Sequence, residues 1–187
     1  MRENAKRQSY TVAFCALMAA LGTALMTTGG LIPIATYCSP LLAGILLLPV
    51  LYEFGRREGW MVWAVTAALS LILSPDKEAG SMYLFLGWYP ILKPAFDRIR
   101  PAALRFFSKL AVFTLAFAAM YALLCFVFQL DEVVEEMREL SLVLNLALDG
   151  LLVVVMLIYD FLLGRLWLLY HFRLRPRLRL PPRLSKR

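Results

Sequence analysis

The stretch LSPDKEAG, Leu73–Gly80, sets three charged residues and a proline between two strongly apolar runs. Whether it is a turn or the rim of a site depends on which side of a bilayer it lies, and the flanking composition makes a bilayer the first question. The chain has 187 residues, 61% hydrophobic and 18% charged, with a mean hydropathy of +0.69. Soluble domains run nearer half apolar and a quarter charged, so this is the composition of a membrane protein. A spanning helix uses about 20 mostly apolar residues at 1.5 Å each, so about five to seven fit, with little left for a soluble domain. The run that begins at Tyr10 has no small-residue cleavage pattern and reads as a first span, not a signal peptide.

Six apolar segments follow from that length: Tyr10–Thr28, Ile34–Phe54, Trp60–Leu73, Pro75–Leu92, Leu104–Leu130 and Leu142–Tyr170. The predicted fold is an all-α membrane protein, a six-transmembrane-helix bundle over residues 1–170 followed by a basic tail over 171–187. Charge orients it. Arg2, Lys6 and Arg7 precede the first segment, and Arg56 and Arg57 follow the second. Lys93, Arg98, Arg100, Arg105 and Lys109 surround the link from fourth to fifth, and Arg165–Arg187 closes the chain. The alternate loops hold only Lys77 and Arg138 as bases, beside Asp76, Glu78, Asp131, Glu132, Glu135, Glu136 and Glu139. Positive charge favours the cytoplasmic side, so both termini are expected there, with outer loops at Leu31–Ser39, Pro75–Gly80 and Asp131–Leu140. Leu73–Gly80 is then on the outer side. Ser74 reads as a helix N-cap, Pro75 as the first helical residue, and Asp76 and Glu78 as acids of the first turn.

Two sets of residues stand out. Ala16, Ala20 and Ala24 share one face of the first helix at a spacing of four, with Ala13 and Gly22 nearby. Small side chains let another helix approach closely in lipid, either inside the same bundle or from a separate membrane protein. The last segment carries Asn145, Asp149 and Asp160 within one narrow stripe. A carboxylate inside a bilayer costs about 2.5–3.5 kcal/mol on insertion scales, so it faces a cavity or a partner. Asp160 is expected to pair with Arg165 or another base at the cytoplasmic end. Asp149, roughly 10 Å below the outer surface by helical rise, has Asn145, Asp76, Lys77 and Glu78 on the same side. These form either a substrate pocket or a charge network without ligand. Tyr37 and Tyr83 are candidates to stack on a flat ligand, whereas Trp88 and Tyr89 read as interfacial anchors.

The acidic turn Asp131–Leu140 reads most simply as a solvated outer loop, with a lid formed by Val133, Val134 and Met137 as the alternative. The tail HFRLRPRLRLPPRLSKR, from His171, reads as topogenic and as a partner for anionic lipid rather than nucleic acid. Catalysis has little support. The chain has no HExxH, P-loop or GxSxG and a single histidine, and Asp149 and Asp160 are roughly 16 Å apart along one helix. Cys15, Cys38 and Cys125 are scattered, with no CxxC, so neither a metal site nor a cofactor is expected.

In its size, its six expected spans with both ends inside, and the first-helix stretch ALMAALGTA, Ala16–Ala24, the chain resembles the substrate-binding S components of energy-coupling factor (ECF) transporters. That resemblance implies a binding subunit in the bacterial cytoplasmic membrane that captures a vitamin-like micronutrient in its outer half. It also implies docking through Ala16, Ala20 and Ala24 on a transmembrane T component, with ATP hydrolysed by two cytoplasmic partner subunits. The N-terminal histidine motif of the nickel and cobalt members is absent, and no residue set diagnostic of riboflavin, thiamine, folate or biotin is present. The rival expectation is a non-transport scaffold that organises other membrane proteins, which needs small-residue faces but no polar cavity. A lipid-handling protein or a proton-coupled carrier using Asp149 is a third.

Overall fold

The structure, a computed structural model, describes the backbone over residues 2–32, 35–123 and 142–174, and side chains over 8–32, 35–123 and 150–173. Among these residues it is all helical: α1 (Arg2–Gly29), α2 (Cys38–Ile45), α3 (Leu47–Glu53), α4 (Arg56–Leu73), α5 (Lys77–Leu86), α6 (Tyr89–Phe96), α7 (Ala102–Leu123) and α8 (Leu142–Leu169). A π-helical turn, Tyr170–Leu174, ends the last helix. Among the described residues, three stretches are long and apolar enough to cross a bilayer: Gln8–Gly29, Ala102–Leu123 and Gly150–Arg173.

The second and fourth apolar segments are each two helices, for one shared reason. Proline has no N–H to bond the carbonyl four residues back, and its ring crowds that carbonyl. Pro49 stands in this relation to Ile45, the last residue of α2, and Pro90 to Leu86, the last of α5. Each segment therefore breaks where its proline would have clashed. Between α3 and α4 the link is only Phe54 and Gly55. Gly55 has φ 108°, a conformation that other residues rarely adopt, so this tight reversal requires glycine.

The chain forms two compact units, one of Met1–Ile91 with Arg165–Arg187, the other of Leu92–Gly164. In the first, α1 packs on α4 and α2, and α4 also meets α3 and α5. Its core has two parts. One gathers Ala19, Leu47, Val50, Leu51, Phe54, Val62 and Ile91 beneath Phe14, Trp60, Trp63 and Trp167. The other gathers Met26, Ala43, Ala67, Ala79 and Tyr83. Tyr89 is 1% exposed, so it is a core residue and not the interfacial anchor the sequence suggested. In the second unit Phe113, Phe117, Met120, Met156 and Leu163 are buried.

Helix α4 is inside-out relative to a helix of a soluble protein. On α4 the exposed stripe is Met61, Val65, Leu69 and Ile72, while the buried face is Gly59, Val62, Thr66, Ala67 and Ser70. Large apolar side chains outside and small or hydroxyl-bearing ones inside suit packing in lipid, where close approach replaces apolar burial as the driving force. In the second unit, Leu115 on α7 and Leu151, Ile158 and Phe161 on α8 are also exposed. Threonines in α1 satisfy their hydroxyls within the helix: Thr23 donates to the Ala19 carbonyl at 2.9 Å and Thr28 to that of Ala24 at 2.8 Å.

Candidate functional site

Leu73–Gly80 is a double cap. Ser74, expected to start the fourth helix, instead ends α4: its backbone is extended, as a residue before proline prefers, and its N–H bonds the Ser70 carbonyl at 2.9 Å. Its hydroxyl donates to the Met26 carbonyl at 3.4 Å, tying α4 to α1. Asp76 takes the N-cap role, accepting from the Ala79 N–H at 3.0 Å, and helix α5 starts at Lys77. The Lys77 ammonium turns back on α4, donating to the carbonyls of Leu71 at 2.8 Å and Ser74 at 3.0 Å. A cation on the last carbonyls of a helix complements its negative end.

The link after α1 closes over this cap. Thr36 donates to Asp76 at 2.7 Å, and Tyr37 donates to Glu78 at 3.0 Å. Asp76, Glu78 and Tyr37 are thus brought together, with Thr36 as a member that sequence reasoning missed. Its only signal was a hydroxyl beside Tyr37, too common to interpret. Gly30 makes the contact close, since a Cβ there would lie 2.7 Å from the Ser74 hydroxyl oxygen. Tyr37 is 42% exposed, but Tyr83 is 1% exposed and hydrogen-bonds the Thr66 side chain within the core. Asn145 and Asp149 lie on α8, where their side chains fall outside the described residues. The suggested lid, Val133, Val134 and Met137, also lies outside them.

On α1 two faces are separated cleanly. Ala19, Gly22, Thr23 and Met26 are buried, and a Cβ on Gly22 would lie 3.0 Å from Thr66 Cγ2. Ala16, Ala20 and Ala24 are exposed, together with Ala13, Leu17 and Leu21. Gly22 is two residues from Ala20, about 200° around the helix, so it belongs to the packed side and not to the alanine stripe.

A second polar cluster lies within the Leu92–Gly164 unit. Lys109 donates to Asp160 at 2.7 Å and to Asp97 at 2.9 Å; Lys93 pairs with Asp160, and with Asp97 at 3.4 Å. Asp160 therefore meets two lysines, one from α6 and one from α7, bases other than Arg165 of the kind expected to pair with it. That depth was the readable signal; which of the nearby bases would reach it was not. In the other unit Tyr52 hydrogen-bonds the ring of His171, and Tyr170 donates to the buried Glu53 at 3.5 Å. An apolar groove of about 260 Å³ in the second unit is lined by Thr114, Phe117, Ala118, Tyr121, Gly150 and Val153. Comparison with known proteins finds no family model, no curated protein and no solved structure that matches the chain.

Proposed function

We propose that the chain is the substrate-binding S component of an ECF-type importer, seated in the bacterial cytoplasmic membrane with six spans and both termini inside. In this reading it binds a vitamin-like micronutrient from outside and docks through α1 on a T component whose cytoplasmic partners hydrolyse ATP. The observation that carries it is the exposure of Ala16, Ala20 and Ala24 on a helix whose opposite face is already packed. A stripe of alanines offers lipid little contact area but lets a partner helix approach closely. Asp149 anchors the substrate, with Asn145 beside it. The apolar groove at Thr114, Tyr121 and Gly150 is next in sequence to Asp149 and would take the apolar body of the substrate, as small-molecule sites combine many apolar contacts with few polar ones. Within the other unit, Asp76 and Lys77 fix the start of α5, and Tyr37 and Glu78 are joined by an exposed hydrogen bond.

The scaffold reading draws on one observation: Asp76, Lys77 and Glu78 all have hydrogen-bond partners within the chain. Native mass spectrometry of gently purified protein separates the two. A co-purified small molecule whose affinity falls tenfold or more in Asp149→Asn, about 1.4 kcal/mol, supports the S component. Protein that carries no small molecule, with Asp149→Asn changing only thermal stability, supports the scaffold.

A further inference from the structure

We infer that Lys93 and Lys109 form a seat for the phosphate of an anionic lipid headgroup, filled by the Asp97 carboxylate when no phosphate is bound. The seat has a fixed floor and a replaceable lid. Asp160, 17% exposed in its side chain, is the floor and holds both lysines from α8. Asp97 is 43% exposed and bridges the same two ammoniums from the solvent side, at 2.9 Å from Lys109 and 3.4 Å from Lys93. Lys109 is only 7% exposed. Two ammoniums share the single Asp160 carboxylate, which leaves positive charge for a second anion. Asp97 supplies it from an exposed position, where an ion pair contributes about 1 kcal/mol or less and exchanges readily. The phosphomonoester of a phosphatidic acid headgroup has more charge than a carboxylate and three acceptor oxygens for the same two donors.

The surroundings point to lipid. From Lys93 to Lys109 the chain holds five bases, Lys93, Arg98, Arg100, Arg105 and Lys109, against one acid, Asp97, a net charge of +4. Basic groups next to a bilayer attract anionic headgroups at about 1 kcal/mol each. Leu104, Phe106 and Phe107 in the first turns of α7, the helix that carries Lys109, are 57%, 47% and 62% exposed, apolar surface available to acyl chains. The inference does not depend on the transport reading.

The test measures retention of phosphatidic acid by the full-length protein in phosphatidylcholine nanodiscs, by native mass spectrometry. Asp97→Asn opens the seat and raises retention about fivefold, the equivalent of an exposed ion pair. Lys93→Gln lowers it by a similar factor. Glu58→Gln makes the same change in net charge on α4, outside the Leu92–Gly164 unit, and leaves retention unchanged. Inorganic phosphate distinguishes the source. If it protects the solubilised protein as well as the lipid does, the seat takes free phosphate; if it neither protects nor competes, the seat takes the headgroup. Equal gains in Asp97→Asn and Glu58→Gln, or no gain in Asp97→Asn, would overturn the inference. Should Lys93→Gln fail to fold, the Asp97→Asn and Glu58→Gln pair decides alone.

Discussion

A Cβ added to Gly29 would lie 2.5 Å from the Cβ of Ser39, so the end of α1 and the start of α2 meet with room for nothing larger than glycine. Ser39 is 2% exposed and cannot swing aside. Gly29→Ala should therefore destabilise the protein by about 1–3 kcal/mol, the usual cost of overpacking. Ala20→Leu, on the exposed face of the same helix, should change stability by no more than about 0.5 kcal/mol. Thermal unfolding of both variants in one detergent checks this. Equal losses would mean that the alanine face is packed within the protein.

Asp76 both caps α5 and accepts from Thr36. Asp76→Ala removes both contacts and should cost about 1–2 kcal/mol. Asp76→Asn, with an equally good capping oxygen, should retain most of that stability. A pair of variants with equal loss would show that the negative charge matters more than the cap.

These two positions show what could be read in advance. The Asp76 cap lies within four residues of its target, yet Ser74 was an equally good local candidate. Only the contact of its hydroxyl with Met26, far away in the chain, decides between them. The three long apolar stretches were legible because length and composition fix them. The breaks at Pro49 and Pro90 were legible in principle, since each proline stands four residues beyond a helix end. Which face of α1 packs was not, because Ala19 and Ala20 are chemically identical and differ only in the neighbours that the fold supplies. The burial of Tyr83 and Tyr89 was hidden for the same reason.

Asp160 holds two lysines, so its loss leaves buried positive charge short of a partner. Asp160→Asn should cost about 3 kcal/mol, the scale for breaking one side of a buried ion pair. Adding Lys93→Gln should restore part of it, because the double variant removes one of the stranded charges. Thermal unfolding of the two singles and the double gives the coupling. Simple additivity would mean that the two side chains act independently.

Topology has a native probe. Cys38 is exposed at the start of α2, in a link expected outside the cell, whereas Cys15 is partly buried in α1. A membrane-impermeant maleimide applied to intact cells should label Cys38. In a Cys38→Ser background, Arg57→Cys, beside the tight turn at Gly55, should be labelled only after the cells are opened. The reverse pattern would invert the proposed orientation and contradict the proposal of an outward-facing pocket.

The most direct test is co-purification of the full-length protein from its native membranes, with the wild type and Ala20→Trp compared side by side. The wild type should bring down one further transmembrane subunit and ATP-binding subunits. Ala20→Trp should lose them while its unfolding temperature stays unchanged, since an indole on the exposed alanine face blocks helix approach without entering the core. Wild-type protein that brings down no ATPase, or a folded Ala20→Trp variant that keeps its partners, would contradict the account.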